Sequence, residues 1–385
     1  MKTKKLNPTL MALTSSALTL LTSQPVIADA PPDQAVVGVR YGKYIEDDIG
    51  ADKTLNARSS ERYDIDVAQF HLLTPVGDNW SLEVDAQWEN MSGASPWYTS
   101  YNNAGDAKVI MSGASIKDTR KEVGVTTRYF FDRGNVGINY TNSSENDYKS
   151  NAFSLDGSFN SADGMQTYSA AISMSNDDII PTIGRVQTNT VKAEKDIRSA
   201  WFGVSQIINQ NSLVRFGLGY TYREGFLTDP YKARDKRPDK RTEWAFSTGY
   251  RHFFDKQDAA LHLDYRYFQD DWDVVSHTID AAWVQNIGDS LQLKPFVRYY
   301  TQDEAKFFSS VVNNTNQNYY SDDYRLSAYG AFSGGLKATY DIGNWTLVAS
   351  GERYQSDGRF GMFDYTKAPG SVDFWRYNLG FDYRF

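Results

Sequence analysis

The chain is 385 residues long, with 40 Lys and Arg against 48 Asp and Glu, a formal net charge of -8, and no cysteine. The missing thiols exclude disulfides, Cys-ligated zinc, a cysteine nucleophile and CxxCH haem attachment together, and the acidic balance argues against nucleic acid as a partner. Hydrophobic residues make up an ordinary 41%, but aromatics reach 15%, with 26 Tyr, 21 Phe and 9 Trp.

Lys2, Lys4 and Lys5 form a basic start, followed by an apolar stretch from Leu10 to Leu21 diluted with Thr and Ser. About a dozen residues is too short for a membrane-spanning helix, which needs roughly twenty, and suits a signal peptide. Small residues permit cleavage after Ala28 or Ala30; Pro31 hinders the second cut, so residues 1–28 are read as the signal. No Cys follows the apolar stretch, which excludes a lipoprotein anchor. Nothing further along is long and apolar enough for a membrane helix, and residues 31–385 are read as a single β-barrel domain.

That domain is a succession of period-two segments. The first predicted strand is 35–44, with Ala35, Val37, Val39 and Tyr41 on one face, and the second ends at Leu73. A short turn at 75–79 leads to Trp80, Leu82, Val84, Ala86 and Trp88, and a loop over 90–118 follows. Further strands are expected near 123–129, 136–140, 153–159, 168–174, 200–204 and 214–222. A basic loop, 228–241, precedes strands near 244–250, 259–267, 275–283 and 291–299. After a loop over 301–322, a fourteenth strand is read through Leu326, Ala328, Phe332, Leu336 and Tyr340, then one from Trp345 to Ala349 and one at the carboxyl end. Short turns follow the even-numbered strands and long Asn/Asp/Ser-rich loops the odd-numbered ones. That rhythm predicts an all-β, transmembrane, antiparallel up-and-down barrel of about sixteen strands (14–18), with short periplasmic turns and longer extracellular loops.

The terminal strand is the clearest. Trp375, Tyr377, Leu379, Phe381, Tyr383 and Phe385 alternate with Arg376, Asn378, Gly380, Asp382 and Arg384, so one face is oily and the other wet. An even strand count places it beside the first strand, with both ends in the periplasm. Tyr377, Leu379, Phe381, Tyr383 and Phe385 are the expected signal to the barrel assembly machinery.

The wet faces carry charge. Glu83 and Asp85 are expected in the lumen, as are His262, Asp264 and Arg266, because Arg or Lys facing lipid at the midplane costs roughly 2–4 kcal/mol. Arg298, Tyr300 and Arg325 are read at the upper ends of the thirteenth and fourteenth strands. The loop from Asp229 to Arg241 holds six basic residues in thirteen. Its Asp229, Tyr231, Lys232, Arg234, Arg237 and Arg241 are read with Arg298, Tyr300 and Arg325 as a pore-mouth or docking site; the basic residues could draw anions or contact lipopolysaccharide phosphates. Internal Asp–Arg pairing is the competing reading of the same loop. Asp177-Asp178, Asp270-Asp271-Asp273 and Asp322-Asp323 lack the spacing of a metal loop, so no metal or cofactor is expected. Ser276-His277-Thr278 invites a hydrolase reading, but neighbours on a strand face opposite ways, so His277 cannot activate Ser276 directly.

Several segments carry a family resemblance: Thr228-Asp229-Pro230-Tyr231-Lys232, Arg237-Pro238-Asp239-Lys240-Arg241, Asp270-Asp271-Trp272, Arg298-Tyr299-Tyr300-Thr301-Gln302 and Asp323-Tyr324-Arg325-Leu326-Ser327. Together they resemble a domain-of-unknown-function family of Gram-negative outer-membrane barrels, over most of the mature chain and most specifically from Gly217 to Ala331. The resemblance implies the cell outer membrane as location and its lipid and lipopolysaccharide as surroundings, and brings no established substrate or catalytic residue. It also implies a periplasmic lipoprotein or redox partner. The resulting expectation is a porin-like channel or gated pore for small hydrophilic solutes. The alternative is a non-conducting structural or docking barrel for a flavinylated or redox partner system, and an outer-membrane hydrolase ranks third.

Overall fold

Where one strand face seeks lipid, every backbone N–H and C=O must find a partner within the protein, and a sheet achieves this only by closing on itself. The computed structural model describes residues 30–56, 60–112, 116–181 and 192–385; the predicted signal peptide lies outside the described residues. Sixteen strands form one closed antiparallel barrel. They are β1 (Val36–Glu46), β2 (Asp64–Val76), β3 (Trp80–Gly93), β6 (Ile116–Phe131), β7 (Gly134–Ser144), β8 (Tyr148–Asn160), β9 (Gln166–Ile179), β10 (Ala193–Asn209), β11 (Ser212–Gly225), β13 (Lys240–Phe254), β14 (Ala259–Asp270), β15 (Val275–Ile287), β16 (Leu291–Gln302), β18 (Tyr329–Ile342), β19 (Trp345–Asp357) and β20 (Phe374–Arg384). Each pairs with its sequence neighbour in the ring, and β20 closes on β1 with Val37 opposite Tyr383 and Tyr41 opposite Leu379. The Phe385 N–H donates to the Ala35 carbonyl at 3.0 Å, ending the seam.

The outward positions remain bare. Trp88, Ile138, Phe202, Phe332, Leu336 and Leu379 are all exposed. A water-soluble protein rarely exposes so continuous an apolar surface, and here it forms a belt around the ring that lipid would cover. The sharp periplasmic turns use glycine where the backbone enters the left-handed region, as at Gly343 (φ +59) between β18 and β19.

At the other end the loops have structure of their own. The expected 90–118 loop contains a hairpin of β4 (Pro96–Tyr101) and β5 (Ala107–Met111). A second small sheet joins β12 (Asp235–Lys236) to β17 (Tyr320–Ser321). The fourteenth strand begins later than its apolar pattern suggested. Arg325 lies in a 3₁₀ turn, Tyr324–Leu326, capped by the Asp323 side chain, and neither it nor Ser327 belongs to the strand. Leu326 and Ala328 are 5% and 2% exposed. Leu326 continues the alternation because it packs in a core with Trp272, Val274, Ala305 and Phe308, above the lipid belt. A second core, under the loops, explains why β2 alternates poorly: Ile65 and Val67 turn inward onto Tyr44, Tyr63 and Met91. Gly93 ends β3 at φ +135, and any Cβ there would meet the Arg62 carbonyl at 2.2 Å. In β10 the inward Trp201 interrupts the pattern; its ring lies over Gly203 and Gly217, where an added Cβ would meet it.

Candidate functional site

Six of the nine predicted mouth residues, Asp229, Tyr231, Lys232, Arg234, Arg237 and Arg325, come together in the extracellular cap. They are organised by two acids outside the predicted mouth set, one of which, Asp235, makes the internal Asp–Arg pairing that is the competing reading of this loop. Asp323 is fully buried and accepts from Arg237 Nη2 at 2.7 Å and from Arg325 Nε at 2.8 Å, with Lys232 Nζ 3.7 Å away. Burial alone would raise its carboxyl; Arg325, Lys232 and Arg237 outweigh that and hold it well below the usual carboxylate range. Asp235, equally buried, accepts from Arg237 Nε at 2.9 Å and from the Asp229 backbone N–H at 2.7 Å. Asp229 in turn accepts from Arg325 Nη2 at 2.8 Å. Burial of this kind stabilises only where the geometry satisfies every charge, and here three cations converge on one carboxylate.

The cap also ties distant loops together. Lys232 Nζ donates to the Pro96 carbonyl at 3.1 Å and Arg234 Nη1 to that of Thr99 at 3.0 Å; the Arg234 guanidinium also lies 4.7 Å from the Tyr98 ring centre. Asp322 accepts from the Thr99 N–H at 2.9 Å; burial pushes its carboxyl up to about 7. The hydroxyl of Tyr231 donates to Asp147 in the β7–β8 loop. On the far side Arg62 is enclosed, donating to Glu46 at 2.7 Å and to the Gly370 carbonyl at 3.0 Å, with its guanidinium 5.4 Å from the Tyr324 ring centre. The β3–β6 and β11–β13 loops spring from strands six places apart in the ring of sixteen. Strand spacing and tilt make such a ring roughly 30 Å across, so these loops meet only by folding over the mouth.

Three predicted mouth residues sit on the wall instead. Arg241 is the second residue of β13, pairs with Asp270 through Nε at 2.7 Å and lies 4.5 Å from the Trp272 ring centre. Arg298 pairs with Asp280, and Tyr300 donates to Gln302 at 2.7 Å. Below the cap, the five predicted lumen residues line the interior. Asp85 meets His71 Nδ1 at 2.9 Å, with Glu83 3.7 Å from the same nitrogen. Asp264 accepts from Arg251 at 2.7 Å and from Arg215 at 3.3 Å. Arg266 lies 5.4 Å from the Phe268 ring centre, and His262 lines a recess near the periplasmic end.

Two groups could hold a cation. Asp118, Glu145 and Asp147 bring carboxylate oxygens within 4.8 Å of one another, as do His71, Glu83 and Asp85 with their ligand atoms. Burial, then the charge of Asp118, pushes Glu145 up to about 8; burial pushes Asp147 up to about 7 against its hydrogen bond from Tyr231. Hard oxygen ligands of this type suit Ca²⁺ or Mg²⁺. For hydrolysis the geometry offers less. Ser276 is buried inside, while His277 turns outward to the Tyr265 hydroxyl at 2.8 Å. Ser212 Oγ does meet His252 Nδ1 at 2.8 Å, a contact the sequence did not reveal, but among the described residues no carboxylate hydrogen-bonds to His252 to orient it.

The family model described as "Protein of unknown function (DUF3570)" matches residues 10–375. No curated protein matches the chain in sequence. CdiB from Acinetobacter baumannii is similar in structure at 10% identity and a TM-score of 0.51, over 91% of this chain and 60% of that one. The siderophore receptor PirA from Pseudomonas aeruginosa gives 9% identity and a TM-score of 0.45, over 91% and 62%. A BenF-like porin from Pseudomonas fluorescens Pf-5 gives 10% and 0.45, over 92% and 100%. The chain spans under two thirds of the length of the first two. At such identities the likeness concerns fold, and the fold is that of an outer-membrane β-barrel.

Proposed function

The chain belongs to the DUF3570 family, and on that premise we propose that it is a porin-like, gated outer-membrane pore for small hydrophilic solutes, held shut at rest by its extracellular cap. One observation carries the reading: loops rooted across the ring meet over the mouth, the β11–β13 loop joined to the β16–β18 loop by buried ion pairs at Asp323 and to the β3–β6 loop through Lys232 and Arg234, above a lumen wall rich in charge. Sixteen-stranded barrels are too wide for side chains to fill, so the cap, with the Arg62–Glu46 pair on its far side, is the element that would control passage. Opening requires the loops to part while the closed ring of strands stays whole.

Export through a signal peptide cleaved after Ala28 or Ala30, and recognition of Tyr377, Leu379, Phe381, Tyr383 and Phe385 by the assembly machinery, belong to the same proposal. Phe385→Ser should lower the yield of heat-modifiable, folded barrel in outer membranes; normal insertion would count against that role. The pore itself is tested by planar-bilayer conductance of the full chain and of a variant lacking residues 228–241. Low conductance in the first and raised conductance in the second is expected. Silence in both would overturn the reading.

A further inference from the structure

Lys294 on β16 and Lys337 on β18 are direct cross-strand partners. Both lie on the lumen face, close to the periplasmic turns. Side chains so placed start from Cβ atoms about 4.5–5.5 Å apart, and like charges in that position are destabilising. Among the described residues neither ammonium has an ion-pair partner. The nearby acids are already engaged: Asp264 by Arg251 and Arg215, Asp280 by Arg298, and Asp382 by Arg40. The two lysines share a recess of about 390 Å³ with His262, Asn286 and Gln292, and Phe253 and Val284 supply its apolar part. The Gln292 amide donates to the Asn286 side-chain oxygen at 3.1 Å, which holds both amides beside the lysines.

The recess lies in a lumen whose charge is segregated. On β3, β6 and β8 the inward residues Glu83, Asp85, Glu89, Glu122 and Asp156 outnumber Arg120 and Arg128. From β11 to β18 the inward residues Arg215, Arg223, Arg241, Arg251, Arg266, Lys294, Arg298 and Lys337 outnumber Glu243, Asp264, Asp270, Asp280 and Asp341. One wall is therefore acidic and the other basic, and low-dielectric walls focus such a field across the space between them. The strongest uncompensated positive charge on the basic wall is the Lys294–Lys337 pair. A compact dianion between the two ammonium groups would relieve their repulsion and gain charge-assisted hydrogen bonds from both. The volume suits a phosphate ester or a short dicarboxylate with some of its water.

We propose that this recess is an anion-binding site on the lumen wall that takes a compact dianion and gives the pore its preference for anions, an inference that rests on the pore reading for its transport role but not for the binding itself. The test uses the full chain and Lys294→Gln/Lys337→Gln. Heat-dependent electrophoretic mobility selects folded protein, with Lys337→Gln alone as the reserve variant. In planar bilayers under a KCl gradient, the wild type should show an anion-preferring reversal potential and be blocked by inorganic phosphate. The double variant should lose the preference and need at least about tenfold more phosphate for block, because two charge-assisted contacts are removed. Equal selectivity and equal block in both proteins would overturn the site while leaving the pore reading intact. If the wild type is too seldom open to record, the same comparison is made in the background lacking residues 228–241; if that variant is silent too, the pore reading falls and calorimetric titration of detergent-solubilised protein with inorganic phosphate decides the site alone. Binding that the double variant loses supports it; absence of binding to the wild type overturns it.

Discussion

Asp323 in the cap and Asp85 on the lumen wall are both aspartates beside cationic side chains, yet they stand in opposite surroundings. The Asp323 side chain is fully buried among Arg237, Arg325 and Lys232, whereas that of Asp85 is 55% exposed and meets a single histidine. Charge in the cap is dry, convergent and structural; charge on the wall is exposed to the lumen, where in the proposed pore it would meet passing ions. The difference follows from topology. Loop residues from distant strands can surround an acid on all sides, while a strand residue sees only its two neighbours and the lumen. A buried ion network resists loss of any member, whereas a solvated pair contributes little to stability and leaves its field available.

The largest effect is expected where the cap is broken. Asp323→Ala leaves Arg237 and Arg325 without their shared carboxylate and should destabilise the closed cap by about 3–5 kcal/mol. Hydrogen exchange in residues 229–241 and 320–327 should accelerate accordingly, while the barrel's own melting hardly moves. Loss of the whole barrel fold would instead show that cap and ring are one cooperative unit.

Acidity should sharpen the contrast. Asp322 and Asp147 are pushed up to about 7 and Glu145 to about 8 in the closed cap, burial being the first cause in each. Once exposed they would titrate near 4, so between about pH 4 and 8 the closed state binds more protons than the open one. The cap therefore tightens as pH falls from 8 to 5 and loosens as it rises. Asp323, held low, contributes in the opposite sense: its stabilisation is present above the ordinary aspartate range and fades only as pH falls through its own depressed value. Protection factors of the cap amides, corrected for the intrinsic hydroxide-catalysed pH dependence of exchange, should rise several-fold between pH 8 and pH 5, and Asp322→Asn should flatten the profile. A profile of opposite slope would contradict the raised carboxyls of Asp322, Asp147 and Glu145, because Asp323 is ionised in both states over this range and adds no slope of its own.

The smallest effect is expected on the wall. Asp85→Asn removes a solvated pair with His71 and should shift stability by no more than about 1 kcal/mol, measured as a change in thermal unfolding. Its signature should be electrical: cation permeability falls while the melt stays put. A large stability loss there would erase the distinction between structural and functional charge.

Most of the ring was legible because lipid on one face and water on the other impose strict alternation, as in Trp80–Trp88 and Trp375–Phe385. Legibility failed where a third environment intervened. Leu326 kept the alternation beyond the strand because the cap core also selects apolar residues, and Ala328 after it is buried as well. Ile65 and Val67 broke it because the lumen beneath the cap is locally dry. Trp201 broke it because glycines opposite leave room for a ring against the wall. The basic loop was visible by composition, but its organisers were not. Asp323 lies 86 residues from Arg237 in sequence, and Gly370 is 308 residues from Arg62; no local pattern links them. The pairing of Lys294 with Lys337 depended on register across the β16–β18 loop, which the misplaced start of the fourteenth strand obscured.

The central claim is that the cap controls a conductive lumen. Single-channel recording of wild type beside Asp323→Ala, in the same bilayer and at pH 7, tests it directly. The wild-type channel should be mostly closed, and the variant, with the same unit conductance, should be open at least about tenfold more often, since even part of the roughly 3–5 kcal/mol loss suffices. Identical open probabilities in the two proteins, or no channel in either, would contradict it.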